Sequence, residues 1–543
     1  DSGYPEVLFG TFHSIFYQIL KESYPAGQTP RPAPVSFRMR LMEQLCRGLG
    51  LEDAAEDTAL LLSEISRLKN AGLPPTAVSE DLSRAQRQAF PSLFSQYECQ
   101  MRENGYIDFD DMVSHCGALL SDRPELLSRW RDRFQYLLID EYQDINRMQF
   151  EVIRLLAEPL HNLFVVGDDD QSIYGFRGSA PGLMRDFPRY YPGTACIRLD
   201  VNFRSGRQIL DAAACVIADN SERFDKTITP RPGAPEASVR GLSYESRMSQ
   251  YEAIAEELES SIRRGTPPET MAVLSRTNKE ASAMAQVCLS RGIPCCFREQ
   301  IPDFYNLPPV RDLFAYLRFA QDGFSRSDYY RIMNRPLRYL RRDSASADTV
   351  TEAEVMRYYR EDAVMRARAA EFFRQIRMIS GLRPGLAVQY IRSVVGLEAF
   401  YQKEYRRRTE LIEQSLAQME QFQALCDRMG SFHELQQYID DYREMLHEMS
   451  GDRREGNKAG VRLLTMHASK GLEFDHVWLP DLNEGILPAR RCITQASIEE
   501  ERRMLYVAMT RAKETLTLSY VRGTQNSERL PSRFLRKLKY LFH

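Results

Sequence analysis

The 543 residues carry no excess of either charge, with 72 Lys and Arg against 75 Asp and Glu. A globally basic nucleic-acid binder is thereby excluded, so any grip on a polyanion has to come from local basic surface. The ten cysteines are scattered, and none forms a CxxC pair or a Cys/His spacing fit for a metal, although Cys295 and Cys296 are adjacent. That pattern suits reduced thiols in a cytoplasmic protein. There is no signal peptide and no apolar run long enough to span a membrane, so no membrane partner is expected. Internal repeats and low-complexity segments are absent too. The first residue is Asp1 and not Met, as expected of a fragment or a processed product. At this length several domains are expected, each with its own core.

What the chain does contain is organised around Leu137-Leu138-Ile139-Asp140-Glu141-Tyr142-Gln143-Asp144. The apolar run from Phe134 to Ile139 reads as a buried strand of a parallel sheet. It ends in two adjacent carboxylates. Ligands of open α/β sheets sit beyond the carboxyl ends of the strands. A carboxylate there can hold Mg²⁺, and its neighbour can orient or deprotonate a water, which is the Walker-B arrangement of a nucleoside triphosphatase. Taken alone, Asp140-Glu141 is better read as a strand stopping at a polar turn. The downstream residues change that reading.

In chain order, Val7 to Gly10 reads as a strand running into the helix Ile15 to Lys21, with Thr11 or Ser14 as its cap. Residues 37–102 have helical apolar spacing (Leu41, Leu45, Leu49; Leu60, Leu61, Ile65, Leu68) and form a helical insertion. Asp108 is placed to cap the helix that follows. Leu163 to Val166 reads as a second buried strand, ending in Gly167-Asp168-Asp169-Asp170-Gln171. A neutral amide at this place can bond a γ-phosphate or the attacking water. Tyr174, Phe176 and Arg177 follow, aromatics interleaved with Arg as suits base stacking, although on an isolated loop such rings are better read as core packing. Ile197 to Leu199 reads as a strand before Asn202-Phe203-Arg204, where Arg204 sits well to reach an anion. Met271 to Ser275 reads as a strand of a second sheet. Residues 304–455 turn helical and polar, with Arg338, Arg341, Arg342 and the run Arg406 to Arg408. Charge runs of this kind are usually solvated faces. Strands return at Val461 to Leu464, His476 to Leu479 and Thr515 to Ser519, around the helix Glu499 to Ala508.

The ordered blocks TFHS, IDFDDM, LLIDEYQD, VGDDDQSIYGFRGS, LDVNFRS, AVLSRTN, LLTMHASKGLEFDHVWLPDLNEGILP and EEERRMLYVAMTRAK resemble the UvrD/Rep/PcrA family of superfamily 1 DNA helicases, which travel 3′ to 5′ on single strands. The resemblance implies an α/β fold of two RecA-like parallel-sheet domains, each with a mostly helical insertion. Residues 1–15 and 106–200 would form the first domain, incomplete, with 16–105 as its insertion. Residues 201–303 and 459–543 would form the second, with 304–458 as its insertion. By the same resemblance the cofactors are ATP and Mg²⁺. Asp140 holds the metal, Glu141 activates the water, and Gln171 senses the γ-phosphate. Phe203 stacks on adenine, Arg204 and Arg511 approach the γ-phosphate, and Glu473 contacts ribose. Phe12, His13, Tyr174, Phe176, Arg177, Asn278 and His467 line the single-strand channel. The implied partners are single-stranded DNA and single/double-strand junctions.

The departures are equally specific. The family's glutamine-containing adenine motif and its GxGK[ST] phosphate loop have no counterpart in these residues, so the chain is expected to hydrolyse ATP poorly on its own. The alternative function is a helicase-like module that grips single-stranded DNA or a protein without hydrolysis. An incomplete first sheet also leaves an edge for self-association. Phe176 stands where Trp is common, and Arg335 to Leu340 replaces a glycine-containing duplex-contact turn.

Overall fold

The computed structural model describes residues 7–25, 28–49, 54–79, 82, 84–175, 178–234, 236–297, 303–321, 324–406, 409–451, 460–490, 492–524 and 527–542. The expected channel residues Phe176 and Arg177, and Arg407 and Arg408 of the basic run, lie outside them. The fold is mixed α/β. Its largest sheet has six strands in the order Ser238–Tyr244, Ala512–Val521, Phe474–Leu479, Met271–Ser275, Val461–Thr465, Cys295–Phe297. Phe474–Leu479 runs parallel to Ala512–Val521, which runs parallel to Ser238–Tyr244. Val461–Thr465 is likewise parallel to Cys295–Phe297.

The chain folds as two compact bodies, one of Asp1–Tyr251, Leu274–Arg276 and Thr465–His543, the other of Glu252–Val273 and Thr277–Leu464. In the first, Leu137–Ile139 pairs in parallel with Leu163–Val165, joined by the helix Arg147–Ala157. That helix starts on a capping box in which Asn146 and Gln149 satisfy each other's backbone N–H groups. Its buried face, Phe150, Val152, Ile153 and Leu156, follows the helical period. Asp108 caps the helix Phe109–Asp122 as expected, in a second box with Asp111. Thr11, of the two candidates, caps Phe12–Ser23, its side chain accepting from the Ser14 N–H.

The helices read over 37–102 are present as Val35–Gly48, Ala54–Ala71 and Arg84–Glu103. These helices enclose their own core of Leu41, Met42, Leu61, Ile65, Leu68, Phe90 and Tyr97. Lys69 ties these helices to the helix Phe109–Asp122. Its buried ammonium lies 2.6 Å from Glu98, 2.8 Å from Asp108 and 2.6 Å from Asp111.

Four strand readings need correction. Leu137–Ile139 and Leu163–Val165 are parallel strands but are not buried on both faces, since Leu138 is 74% and Phe164 57% exposed. Side chains alternate across a strand, so Ile139 packs inward while Leu138 and its cross-strand neighbour Phe164 point to a face that nothing covers among the described residues. Ile197 to Leu199, read as a strand, has no ladder partner among the described residues. Pairing begins only at Val201–Asn202, opposite Thr229–Pro230. Val7 to Gly10 is likewise not a strand.

The second body is largely helical, as expected, around a core that includes Phe314, Phe319, Tyr329, Phe372, Ile376, Leu397 and Phe422. Within it the fully buried Asp312 is neutralised by Arg331 at 2.7 Å and Arg335 at 2.8 Å, and accepts from the Tyr401 hydroxyl at 2.7 Å. Arg338, read as part of a solvated basic face, is instead buried and donates to the carbonyls of Ile332 and Pro336 at 3.3 and 3.2 Å. Its guanidinium is thus spent on the 332–336 turn and on Gln375, to which it donates at 3.0 Å.

Candidate functional site

All the close contacts that follow lie within the first body. Ile139 leads directly into Asp140 and Glu141, both exposed at the strand's carboxyl end. Glu141 adopts φ +53°, a left-handed conformation uncommon outside glycine. Its N–H donates to Asp140 Oδ1 at 2.9 Å, and its own Oε2 accepts from Gln143 Nε2 at 2.5 Å. Gln143 also reaches across to the second strand end, accepting from the Asp168 N–H at 3.0 Å. Gly167 allows this approach, because a Cβ there would lie 2.5 Å from Gln143 Oε1.

After Leu163–Val165 the chain makes a short 3₁₀ turn, Asp169–Gln171, capped by Asp168. Gln171 is held at three points. Its Nε2 donates to Asp168 Oδ2 at 2.7 Å, its Oε1 accepts from Arg511 at 3.4 Å, and its carbonyl accepts from Lys470 at 2.8 Å. Lys470 also lies 2.5 Å from Asp144 and 3.3 Å from Glu141. The same ammonium sits 5.2 Å from the centre of the Tyr174 ring, a cation–π contact. His467 completes the group, its ring 6.3 Å from that of Tyr174.

Arg511 is 2% exposed. Its guanidinium donates to Val507 O at 2.9 Å, Leu472 O at 3.4 Å and Thr510 Oγ1 at 3.1 Å. Burial lowers it to about 10, helped by the positive charge of Arg204, while Tyr506, Glu141 and Asp168 oppose the shift. Arg204 donates to Glu473 at 3.0 Å and to Thr510 O at 3.4 Å. Lys513 lies 2.8 Å from the same Glu473. Bonds from Lys513 and Arg204 hold the Glu473 carboxyl below its usual range. Phe203 stands exposed beside this pair.

Thus Glu141, Gln171, Arg511, Tyr174 and His467 come together through Lys470, and Arg204 and Glu473 meet each other beside Arg511. The structure does not bring the other expected residues into this group. Phe12 packs on the buried core at 5.8 Å from Phe16, and His13 meets the edge of Phe109 at 5.6 Å. Asn278 belongs to the second body, where it opens the helix Asn278–Ser290 behind its Thr277 cap. Sequence reasoning gave no role to Lys470, although it lies inside the quoted TMHASKGLEF block. It also passed over Arg223 and Lys226, which hold Asp168, Asp169 and Asp170. Nothing in their local sequence marks them, since their partners lie more than fifty residues away.

The comparisons with known proteins agree on one family. Residues 3–192 match the UvrD/REP helicase N-terminal domain, and residues 197–523 match the UvrD-like helicase C-terminal domain. The chain is 29% identical over 551 residues to the YjcD protein of Bacillus subtilis, covering 97% of this chain and 70% of that one. It is 26% identical to DNA helicase II of Haemophilus influenzae over 97% of this chain and 75% of the relative. With the ATP-dependent DNA helicase PcrA of Staphylococcus aureus it shares 27% identity, over 98% and 76% of the two chains.

Proposed function

The chain belongs to the UvrD/REP helicase family, and on that premise we propose that it serves as an ATP-dependent DNA helicase or translocase moving 3′ to 5′ along single strands. The domain division set out above is part of this reading. One observation carries it: Lys470 and Arg511 bring the 465–511 segment onto Glu141 and Gln171, so that acids and an amide from one set of strand ends share a site with cations from another. Phosphoryl transfer needs little else from a protein than position and charge around the transferred group.

In this reading Asp140 offers a carboxylate oxygen to Mg²⁺. Its exposed position at a strand end fits an ion that takes few protein oxygens and keeps water and phosphate. Bound there, the ion would offset charge on the phosphates. The other acidic group, Asp168 to Asp170, does not fit, because Lys226 and Arg223 already engage its oxygens. Glu141 orients the attacking water. Gln171 and Arg511 face the γ-phosphate, with Arg204 beside them, while Phe203 offers an open ring to adenine and Glu473 reaches the ribose. Tyr174 and His467, whose rings lie 6.3 Å apart, belong to the single-strand channel. Aromatic stacking suits a motor, because every base has a π-face.

No GxGK[ST] loop occurs in these residues. As they stand, they are expected to bind single-stranded DNA while turning over ATP poorly. An ATPase assay of this chain with and without oligo-dT tests the point. Robust DNA-stimulated turnover would overturn the deficiency, and failure to bind oligo-dT would overturn the helicase reading itself.

A further inference from the structure

Asp168, Asp169 and Asp170 place three carboxylates within 4.8 Å of one another. Two of them are buried, Asp170 completely so. Uncompensated carboxylates cannot crowd a buried site in the ionised state. The counter-charges come from one short segment. Lys226 Nζ contacts Asp168, lies 2.6 Å from Asp169 and 3.0 Å from Asp170. Arg223 grips Asp170 through two bonds of 3.0 and 2.7 Å, and the Phe224 N–H donates to Asp169 Oδ2 at 2.6 Å. Lys226 loses solvation here, yet the three carboxylates raise its pKa above the ordinary value.

The remaining oxygen of Asp168 faces the site. With Oδ1 on Lys226, Asp168 Oδ2 accepts from Gln171 Nε2 at 2.7 Å. A carboxylate only accepts and a guanidinium only donates. The Gln171 amide, set between Asp168 and Arg511, therefore has one permitted orientation, with Nε2 toward the acid and Oε1 toward Arg511. A flipped amide would put Oε1 against a carboxylate and N–H groups against a guanidinium. Asp168 Oδ1 is held by the Asp170 N–H at 3.1 Å and by Lys226, and without Lys226 the like charges of Asp169 and Asp170 would push the Asp168 carboxylate from this position.

We propose that Lys226, supported by Arg223, is a positioning residue for Gln171: by offsetting the charge of the three aspartates it fixes Asp168 and, through Asp168, directs the Gln171 side-chain oxygen toward Arg511. An oxygen in that position accepts a hydrogen from an attacking water. That last consequence rests on the helicase reading. The relay from Lys226 to Gln171 does not, and the experiment reads the relay.

The test uses the 543-residue chain labelled with ¹⁵N at glutamine side chains, with the Gln171 amide assigned by its loss in Gln171→Glu. The wild-type signal is expected downfield, as for an N–H donating to a carboxylate. Lys226→Met is expected to move it to the position of a solvated amide and to speed hydrogen exchange of the 168–175 backbone by about tenfold or more. Exchange of residues 310–320 in the other body should stay unchanged. Lys226→Arg keeps the charge and should retain the wild-type signal. The double variant Lys226→Met/Asp169→Asn removes one charge of each sign and should restore it. If Lys226→Met does not fold, the Arg and double variants carry the test. An unmoved Gln171 signal in Lys226→Met would overturn the proposal, as would a double variant in which the signal is not restored. Loss of oligo-dT binding by wild type would sink the helicase reading and leave the relay standing.

Discussion

Met271–Ser275 and Leu137–Ile139 are both short apolar strands of parallel sheets that end in polar residues, and they meet opposite fates. Every side chain of the first is buried. In the second, Leu138 is largely exposed, as is Phe164 opposite it. The strands Phe474–Leu479 and Val461–Thr465 flank Met271–Ser275 on either side, whereas Leu137–Ile139 has Leu163–Val165 as its one partner among the described residues. An apolar strand pattern thus states a demand for cover on both faces. Whether the demand is met depends on elements elsewhere in the chain.

The comparison can be broken most sharply by truncating equivalent leucines. Leu274→Ala is expected to cost about 2–5 kcal/mol, as for any fully buried leucine. Leu138→Thr is expected to change stability by no more than about 0.5 kcal/mol. Urea unfolding of the two variants measures both, and equal losses would show that Leu138 is covered in solution. A smaller effect is expected on association. The uncovered Leu138 and Phe164 face should draw copies of the chain together, and Leu138→Lys/Phe164→Lys should shift the population toward monomer in sizing chromatography. An unchanged elution profile would remove this face from the account.

The smallest effect concerns pH. Glu473 has a folded pKa below its ordinary value of 4.5, through Lys513 and Arg204. The unfolded chain therefore binds its proton more readily, and the stabilisation present above pH 4.5 is lost as pH falls through the folded value. Glu473 is about half exposed, so screening limits the contribution to about 0.5 kcal/mol or less. Glu473→Gln should flatten the acid side of a stability-versus-pH curve by that amount. An unaltered slope would mean that the Arg204–Glu473 pair does not persist in solution.

Local signals were legible where chemistry is local. Asp108 and Thr11 declare their caps through a side-chain oxygen within reach of the next turn's N–H groups. The helices of 37–102 and 304–455 follow from apolar spacing, and the strand ends at Asp140 and Gln171 follow from apolar runs that stop at polar residues. What stayed hidden was long-range. Lys470 finds Glu141 and Gln171 across some three hundred residues, and Lys226 finds its aspartates across more than fifty. A lone lysine in sequence looks the same whether it is solvated or locked in a buried cluster. Arg338 shows the converse, a cation that sequence assigns to a solvated face and the fold buries against the carbonyls of a turn.

The measurement that reaches the central claim most directly is binding of fluorescein-labelled oligo-dT to this chain by anisotropy, repeated with Tyr174→Ala. The account predicts saturable binding, similar affinity for dT and mixed-sequence oligomers, and a loss of about 1–3 kcal/mol on removing the ring that Lys470 and His467 surround. No binding, or binding indifferent to Tyr174, would contradict it.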